Sequence, residues 1–323
     1  MTPKPKLVDE FITSMKQEYK LEDEGDINAY LGINVTRPAE NKIKLNQPTL
    51  IQRIIDSLGL KDQRKHMTPA EKVPHEDLDG QDRKLDFNFR SLVGQLNYLT
   101  SSARPDIQVA THQCARYCNN PKLSHEQALK RIVRYLKQTA NEGIILEPDP
   151  SKGVECCVDA DFAGGFRDAD PTDSQSCLSR TGCVIMHANC PILWSSKMQT
   201  TIALSATEAE CVALSTALRD VIFLMELIKE FEKCGAPIPK SESPTVHCRV
   251  FEDNVGALEL ATQHKLRPRT KQIGAQCHHF RHCVATNQIK IQHISTTNQI
   301  ADIFTKPLPR PTFEYLRKLL LKW

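Results

Sequence analysis

Residues 155–165, ECCVDADFAGG, decide the reading of the fold: an apolar strand runs into Asp159 and Asp161, and Gly164 with Gly165 then ends it in a turn. A second run, TVHCRVFEDN at 245–254, delivers Asp253 just as its pattern turns helical. Each carboxylate therefore leaves a sheet at its edge. Asp159 and Asp161 share one face of their strand, so either could be a ligand. Asp159 is preferred because the apolar run leads directly into it.

Two further acids sit on helical stretches. Glu210 lies in the first turns of LSATEAECVALSTALRDVIFLMELIKEF, residues 204–231. Ser205 and Glu208 have the S-x-x-E spacing of a capping box, which gives Glu208 a structural task at the helix start. Glu210 has no such task. On an ideal helix it points about 200° away from Glu208, toward the face of Ala206, Ala213 and Ala217, small residues suited to close approach to a sheet. A carboxylate bordering that face is unfavourable unless paired or metal-bound; a surface position is the competing reading. Asp302 falls in the short helical run NQIADIFTK, which Pro307 stops. An acid in a first turn also complements the helix dipole, so the residue pattern alone leaves both readings of Asp302 open. Clustered carboxylates without cysteine or histidine partners favour hard cations, magnesium or manganese. His278, His279 and His282 lack a zinc-ligand spacing, and there is no phosphate loop or nucleophile elbow.

Around these strands the chain divides by composition. Its 323 residues allow about two domains with sizeable cores. Residues 1–70 carry an amphipathic helix and a hairpin-like pair, YLGINVTR and KIKLNQ, in a region that cannot easily close a sheet by itself. Residues 71–88 read as an acidic, Pro- and Gly-punctuated linker. Residues 89–147 are helical, with Leu129, Ile132, Val133 and Leu136 as an apolar stripe and Lys130, Arg134 and Lys137 on the other face. Ser124 with Gln127 offers a capping box, and Gly143 a helix stop. Residues 154–323 alternate strands and helices, three strands first, which implies an α/β sheet with an antiparallel portion. The 12 cysteines follow no framework and read as free core thiols of a reducing compartment. The first thirty residues hold no uninterrupted apolar segment, so neither a signal peptide nor a membrane span is expected, and the address expected is cytoplasmic or nuclear.

A net charge of +3 names no partner, but charge is segregated. From Leu260 to Ala301 there is no Asp or Glu, while Lys265, Arg267, Arg269, Lys271, Arg281 and Lys290 are all present. A basic ridge lying in sequence between two acids of a metal site suits a polyanionic substrate.

Several stretches, in order, resemble the C-terminal part of the Pol polyprotein of copia-type LTR retrotransposons: RSLVGQLNYLTSSARPDI, VDADFAGG, SRTGCVIM, ILWSSKMQTTIALSATEAECVALS, EDNVGALEL, PRTK and NQIADIFTKPLP. The resemblance spans nearly the whole chain. It implies a partial reverse transcriptase palm tail over 1–70, a helical thumb or connection segment over 89–147, and over 154–323 an α/β, RNase H-like mixed sheet flanked by helices. The polymerase aspartates of that family have no counterpart here, so polymerase activity is not expected. The ribonuclease carboxylates fall on Asp159, Glu210, Asp253 and Asp302, which raises the standing of Asp302. The function implied is endoribonuclease cleavage of the RNA strand of an RNA–DNA hybrid with two divalent ions, Mg²⁺ or Mn²⁺, leaving a 3′-hydroxyl and a 5′-phosphate. Lys197, Lys265, Arg267, Arg269 and Lys271 are the candidate backbone contacts, and the missing polymerase part of Pol is a possible partner. TKQIGAQCHHF departs from the family at Gln272, Gly274, Gln276 and Cys277, which points to weakened substrate contacts. The alternative is a degenerate, inactive fragment with residual nucleic-acid binding.

Overall fold

The computed structural model describes residues 5–22, 25–60, 64–84, 86–166, 174–234, 246–262 and 278–323. Helix α1 (Pro5–Glu18) precedes strands β1 (Ala29–Tyr30), β2 (Ile33–Ala39) and β3 (Lys42–Asn46), with β2 and β3 forming an antiparallel hairpin. Helix α2 (Pro48–Leu58) starts on a proline, which needs no helical N–H there, and ends at Gly59, whose φ of 55° suits glycine. Asn88 caps α3 (Phe89–Ser102) by accepting the Ser91 N–H, and α4 (Gln108–Ala115) and α5 (Leu123–Gln138) follow. The apolar stripe of α5 is buried as its spacing requires, with Leu129, Ile132, Val133 and Leu136 packed on Ile51, Ile54, Leu96 and Leu99.

Two local expectations are corrected. At the start of α5 it is His125 Nδ1, not Gln127, that accepts a backbone N–H, that of Lys122, while Ser124 bonds Asp77. Gly143 does not stop the helix, which has already ended at Gln138. A Cβ at Gly143 would instead collide with the Leu45 carbonyl oxygen, so glycine is required where the chain returns to β3. There β4 (Ile144–Leu146) pairs antiparallel with β3 and completes a four-stranded sheet, β1-β2-β3-β4. The hairpin region closes its sheet with a strand from beyond the helices.

The second sheet opens as an antiparallel meander of β5 (Val154–Asp161), β6 (Arg180–His187) and β7 (Cys190–Met198). Helix α6 (Ala206–Lys233) crosses over to β8 (Cys248–Glu252), which is parallel to β5. Helices α7 (Val255–Thr262) and α8 (His278–Ala285) lead to β9 (Ile289–His293), parallel to β8. The order β7-β6-β5-β8-β9 is the RNase H-like mixed sheet. On one face Val158, Ala160, Cys183 and Val250 pack against Ala213, Leu214 and Ala217 of α6. The other face meets Ile300, Ile303 and Phe304, together with Leu316 and Leu320 of α9 (Arg310–Leu321). The short helical run expected in NQIADIFTK is a 3-10 helix over Ile300–Phe304. It lies flat on β6 because a Cβ at Gly182 would come within 2.6 Å of Thr305 Cγ2, 2.8 Å of Phe304 Cβ and 2.9 Å of the Ala301 oxygen. The buried cysteines of this sheet, Cys156, Cys157, Cys183, Cys190 and Cys248, are free thiols. Among the described residues no helix is long and apolar enough to cross a membrane.

The helical unit is fastened to this sheet through α9. Arg104, fully buried, makes two bonds to Asp106, at 2.9 and 2.8 Å, and two to Thr139. Tyr135 donates to Asp106 at 2.6 Å and accepts from Arg317 of α9 at 3.1 Å. The Trp323 ring lies 4.1 Å from the Arg317 guanidinium and 5.3 Å from that of Arg104, and Trp323 Nε1 donates to the Gly143 carbonyl. Arg104→Ala strands the Asp106 carboxylate and should destabilise the fold by about 3–5 kcal/mol, whereas the double change Arg104→Met with Asp106→Leu should recover most of that loss. Urea denaturation of the two variants against the parent measures both.

Candidate active site

The last recorded pair between the parallel strands β5 and β8 is Cys157↔Phe251. Asp159 and Asp253 each lie two residues further on, at the carboxyl end of the parallel pair where open α/β sheets bind their ligands: Asp253 has just left β8, while Asp159, expected to leave the sheet, is still held in β5 by its pairing with Gly182 of β6. Gln299, fully buried, donates to the Val158 carbonyl at 2.8 Å just beyond that pair and ties the 300–306 segment to the same end. Helix α6 begins above it. Ser205 Oγ accepts the Glu208 N–H at 3.1 Å, and the Glu208 carboxylate accepts the Leu204 N–H at 2.9 Å, so the expected cap forms with its second bond shifted by one residue. Ala213 and Ala217 face the sheet as expected, whereas Ala206 is exposed. That close approach brings Glu210 down onto the strand ends.

One carboxylate oxygen each from Asp159, Glu210 and Asp253 lies within 4.8 Å of the others. Asp302 stands beside this trio, buried and bridged by an ammonium: Lys306 Nζ is 2.8 Å from Asp302 Oδ1 and 3.7 Å from Asp159 Oδ2. Thr305 Oγ1 donates to Asp159 Oδ2 at 2.5 Å, and Thr296 Oγ1 donates to Asp253 Oδ2 at 2.8 Å. Of the candidate backbone contacts, Lys197 is exposed on β7, opposite Thr181. Lys265, Arg267, Arg269 and Lys271 lie outside the described residues, as do Gln272, Gly274, Gln276 and Cys277.

Three residues of this centre were not singled out from the sequence. Glu252 is fully buried and shares the α6-facing side of β8 with Cys248 and Val250, alternation that its strand makes readable. Its Oε1 accepts the Asn254 N–H at 3.0 Å, while its Oε2 has no hydrogen-bond partner. Lys306 and Thr305 follow Asp302 in the TKP run, and a lysine four residues after an acid was the available signal.

Crowding sets the protonation of these groups. Burial, then the charges of Glu252, Asp159 and Asp253, push the Glu210 carboxyl far above its ordinary range, and its Oε2 is unpartnered. Burial also drives Glu252 up to about 8; the Asn254 N–H it accepts opposes the rise, and Asp253 and Asp159 add to it. For Asp302 burial and then Asp159 outweigh the pull of Lys306, giving about 7. Burial opposes the charge on Lys306, but Asp159 and Asp302 hold its ammonium well above the usual lysine range. An all-oxygen donor set with two orphaned, buried carboxylate oxygens, on Glu210 and Glu252, fits a hard divalent cation.

The chain has relatives among known proteins. The chain is 30% identical over 311 residues to the retrovirus-related Pol polyprotein from transposon RE1 of Arabidopsis thaliana, a match covering 96% of this chain and 20% of that polyprotein. It is 28% identical over 316 residues to the corresponding polyprotein from transposon TNT 1-94 of Nicotiana tabacum, covering 95% of this chain and 22% of the relative. The chain belongs to the copia-type retrotransposon Pol family. This Pol segment spans about a fifth of the length of those polyproteins. No protein-family model matches it. Among solved structures, the N-terminal RNase H domain of a Mycobacterium tuberculosis protein, fused to maltose-binding protein, overlays with a TM-score of 0.32 at 13% identity, over 52% of this chain and 97% of that one.

The Pol segment should show the carboxyl crowding in its stability. Glu210, Glu252 and Asp302 hold their protons to higher pH when folded than when unfolded, so the folded state binds more protons above their ordinary values, 4.5 for the glutamates and 3.8 for the aspartate. Their contribution is complete below those values and is lost as pH rises through about 7 and 8. In divalent-free buffer the melting temperature should therefore fall over this range, and Glu210→Gln should flatten the fall. Differential scanning fluorimetry across pH reads both; a parent profile that rises, or that Glu210→Gln leaves unchanged, would contradict the assignment.

Proposed function

We propose that this Pol segment is a metal-dependent endoribonuclease that cuts the RNA strand of an RNA–DNA hybrid. The observation that carries the reading is the convergence of Asp159, Glu210 and Asp253 at the carboxyl end of a parallel strand pair, with their oxygens within 4.8 Å. Membership of the copia-type Pol family supports the substrate class.

Asp159, Glu210 and Asp253, with Asp302 beside them, would hold the divalent ions, Mg²⁺ or Mn²⁺. When bound, such ions activate water and neutralise charge at the scissile phosphate. The protein's own groups do the positioning. Thr305 fixes Asp159 through Oδ2, and Thr296 fixes Asp253 through Oδ2. Lys306, held between Asp302 and Asp159, keeps a positive charge beside carboxylates that would otherwise repel a phosphate. Hydrolysis at this site leaves a 3′-hydroxyl and a 5′-phosphate. Selectivity rests on the 2′-hydroxyls of one strand and on a groove shape that neither pure duplex shares.

The test is cleavage of an end-labelled RNA–DNA hybrid by the purified chain in Mg²⁺. The RNA strand alone should be cut, EDTA should abolish the cut, and Asp159→Asn or Asp253→Asn should lower the rate by at least about 100-fold, the upper range for losing even an outer partner of a metal ligand. A parent chain that leaves the hybrid intact would overturn the reading in favour of a non-catalytic binder. Cleavage that survives both substitutions would show that these carboxylates do not carry it.

A further inference from the structure

Beside the acid centre is a buried cation that has no ion-pair partner among the described residues. Arg180, the first residue of β6, is 3% exposed. Its NH1 donates to Ser196 Oγ at 3.0 Å and its Nε has no partner. Arg116, at the end of α4, is half-buried; it reaches the Gln113 side chain at 3.4 Å and lies over the Tyr117 ring. Among the described residues no carboxylate lies at ion-pair distance from either guanidinium. Burying a guanidinium unpaired is strongly unfavourable, and two together add like-charge repulsion. Burial, and then Arg116, depress the Arg180 guanidinium to about 10, with Asp161 opposing.

The two arginines line one crevice with Gln113, Gln175, Asp161 and Gly164. Its volume of about 10 Å³ is that of a single water, and so of one oxygen atom rather than a whole ligand. Asp161 is the register partner of Arg180 on β5, and its own carboxyl is raised, chiefly by burial. Asp161 and Asp159 lie on the same face of β5, about 7 Å apart along the strand.

We propose that Arg116 and Arg180 form an anion subsite that grips a backbone phosphate of the strand passing the acid centre, one non-bridging oxygen entering the crevice. The identity of that strand rests on the nuclease reading above. Guanidinium forks match phosphate oxygens in geometry and charge, which a lysine pair would not. The subsite is built jointly: Arg116 comes from the helical unit and Arg180 from the sheet, so it exists only while the two are docked. His112 Nδ1, 2.8 Å from the Ser196 carbonyl oxygen, fastens α4 to β7 at that junction.

The test measures binding of an RNA–DNA hybrid by fluorescence anisotropy as KCl is varied, using the full chain carrying Asp159→Asn so that the hybrid stays intact. Adding Arg116→Gln should reduce the slope of log affinity against log salt by about 1, the signature of one lost phosphate contact. Arg180→Gln should do the same, and if it fails to fold by thermal melting, Arg116→Gln alone decides. A hybrid with a neutral methylphosphonate at successive linkages should reproduce the loss at one linkage, and there Arg116→Gln should add nothing further. An unchanged slope, or a loss that multiplies with every methylphosphonate position, would overturn the subsite. Cleavage by the parent chain, measured separately, keeps the two readings apart. Cutting with an unchanged slope removes the subsite and leaves the nuclease, whereas a lowered slope without cutting leaves a phosphate grip and removes the nuclease.

Discussion

Carboxylates pressed together out of water at one end of one sheet are the constraint on which the rest of this molecule depends. Asp159, Glu210, Glu252 and Asp302 are each 5% exposed or less, and Asp253 completes the group at the surface. Left to themselves, such groups would protonate or drive the chain apart. The fold holds them by packing that is indifferent to their charge: alanines of α6 against β5, and a 3-10 helix flat over Gly182. Among the described residues, only Lys306 sits among them as a counter-charge. The site is therefore electrostatically unbalanced by construction, the condition in which a polypeptide binds cations.

The helical unit contributes more than bulk to this arrangement. Helix α9 belongs to two cores at once, with Phe313 among the α3 and α5 side chains and Leu316 and Leu320 beneath the sheet. Between those cores sits the Arg104–Asp106–Tyr135–Arg317 chain, in which the two fully buried charges, Arg104 and Asp106, pair with each other and Arg317 reaches the Tyr135 hydroxyl. Alternation of satisfied and unsatisfied charge is informative here. At the junction, where only rigidity is needed, the guanidinium of Arg104 is fully bonded; at the crevice, Arg180 is equally buried and is not. Two buried arginines in one chain with opposite pairing point to different tasks.

What the sequence disclosed follows the same physics. β5 was readable because both of its faces are covered, giving an apolar run that leads into the acids of the strand's last pairs, Asp159 and Asp161. Glu210 was readable because Glu208 already had a capping task, which left its neighbour unexplained. Asp302 was ambiguous because an acid in a first turn serves a helix equally well, and only the family resemblance separated the readings. Glu252 was hidden by its neighbour: two adjacent acids at a strand end look interchangeable until alternation with Cys248 and Val250 is followed to the buried side. Strand β4 escaped notice because Ile144–Leu146 is too short for a period to declare itself. Its pairing with β3 depends on contacts across almost a hundred residues that no local pattern encodes. Arg180 gave no signal, since a polar residue opening a strand is ordinary until its burial is known.

A polyanion approaching an acidic centre meets repulsion that distant cations cannot relieve, because salt screens charge over about 8–10 Å. Relief has to come from groups at the site itself. Lys197 alternates to the opposite side of the sheet from Arg180, its register being with Thr181 on the neighbouring strand. Among the described residues, Lys306 is bonded within the acid cluster, and Arg116 and Arg180 lie two residues along β5 from it. Among the described residues, the cations nearest the centre are thus partly buried ones, fixed by the docking of helices onto sheet rather than displayed on a surface. Positive charge supplied in that way is little screened and is available only in one geometry. On the proposed reading, recognition of a phosphate backbone would depend on the same packing that gathers the carboxylates.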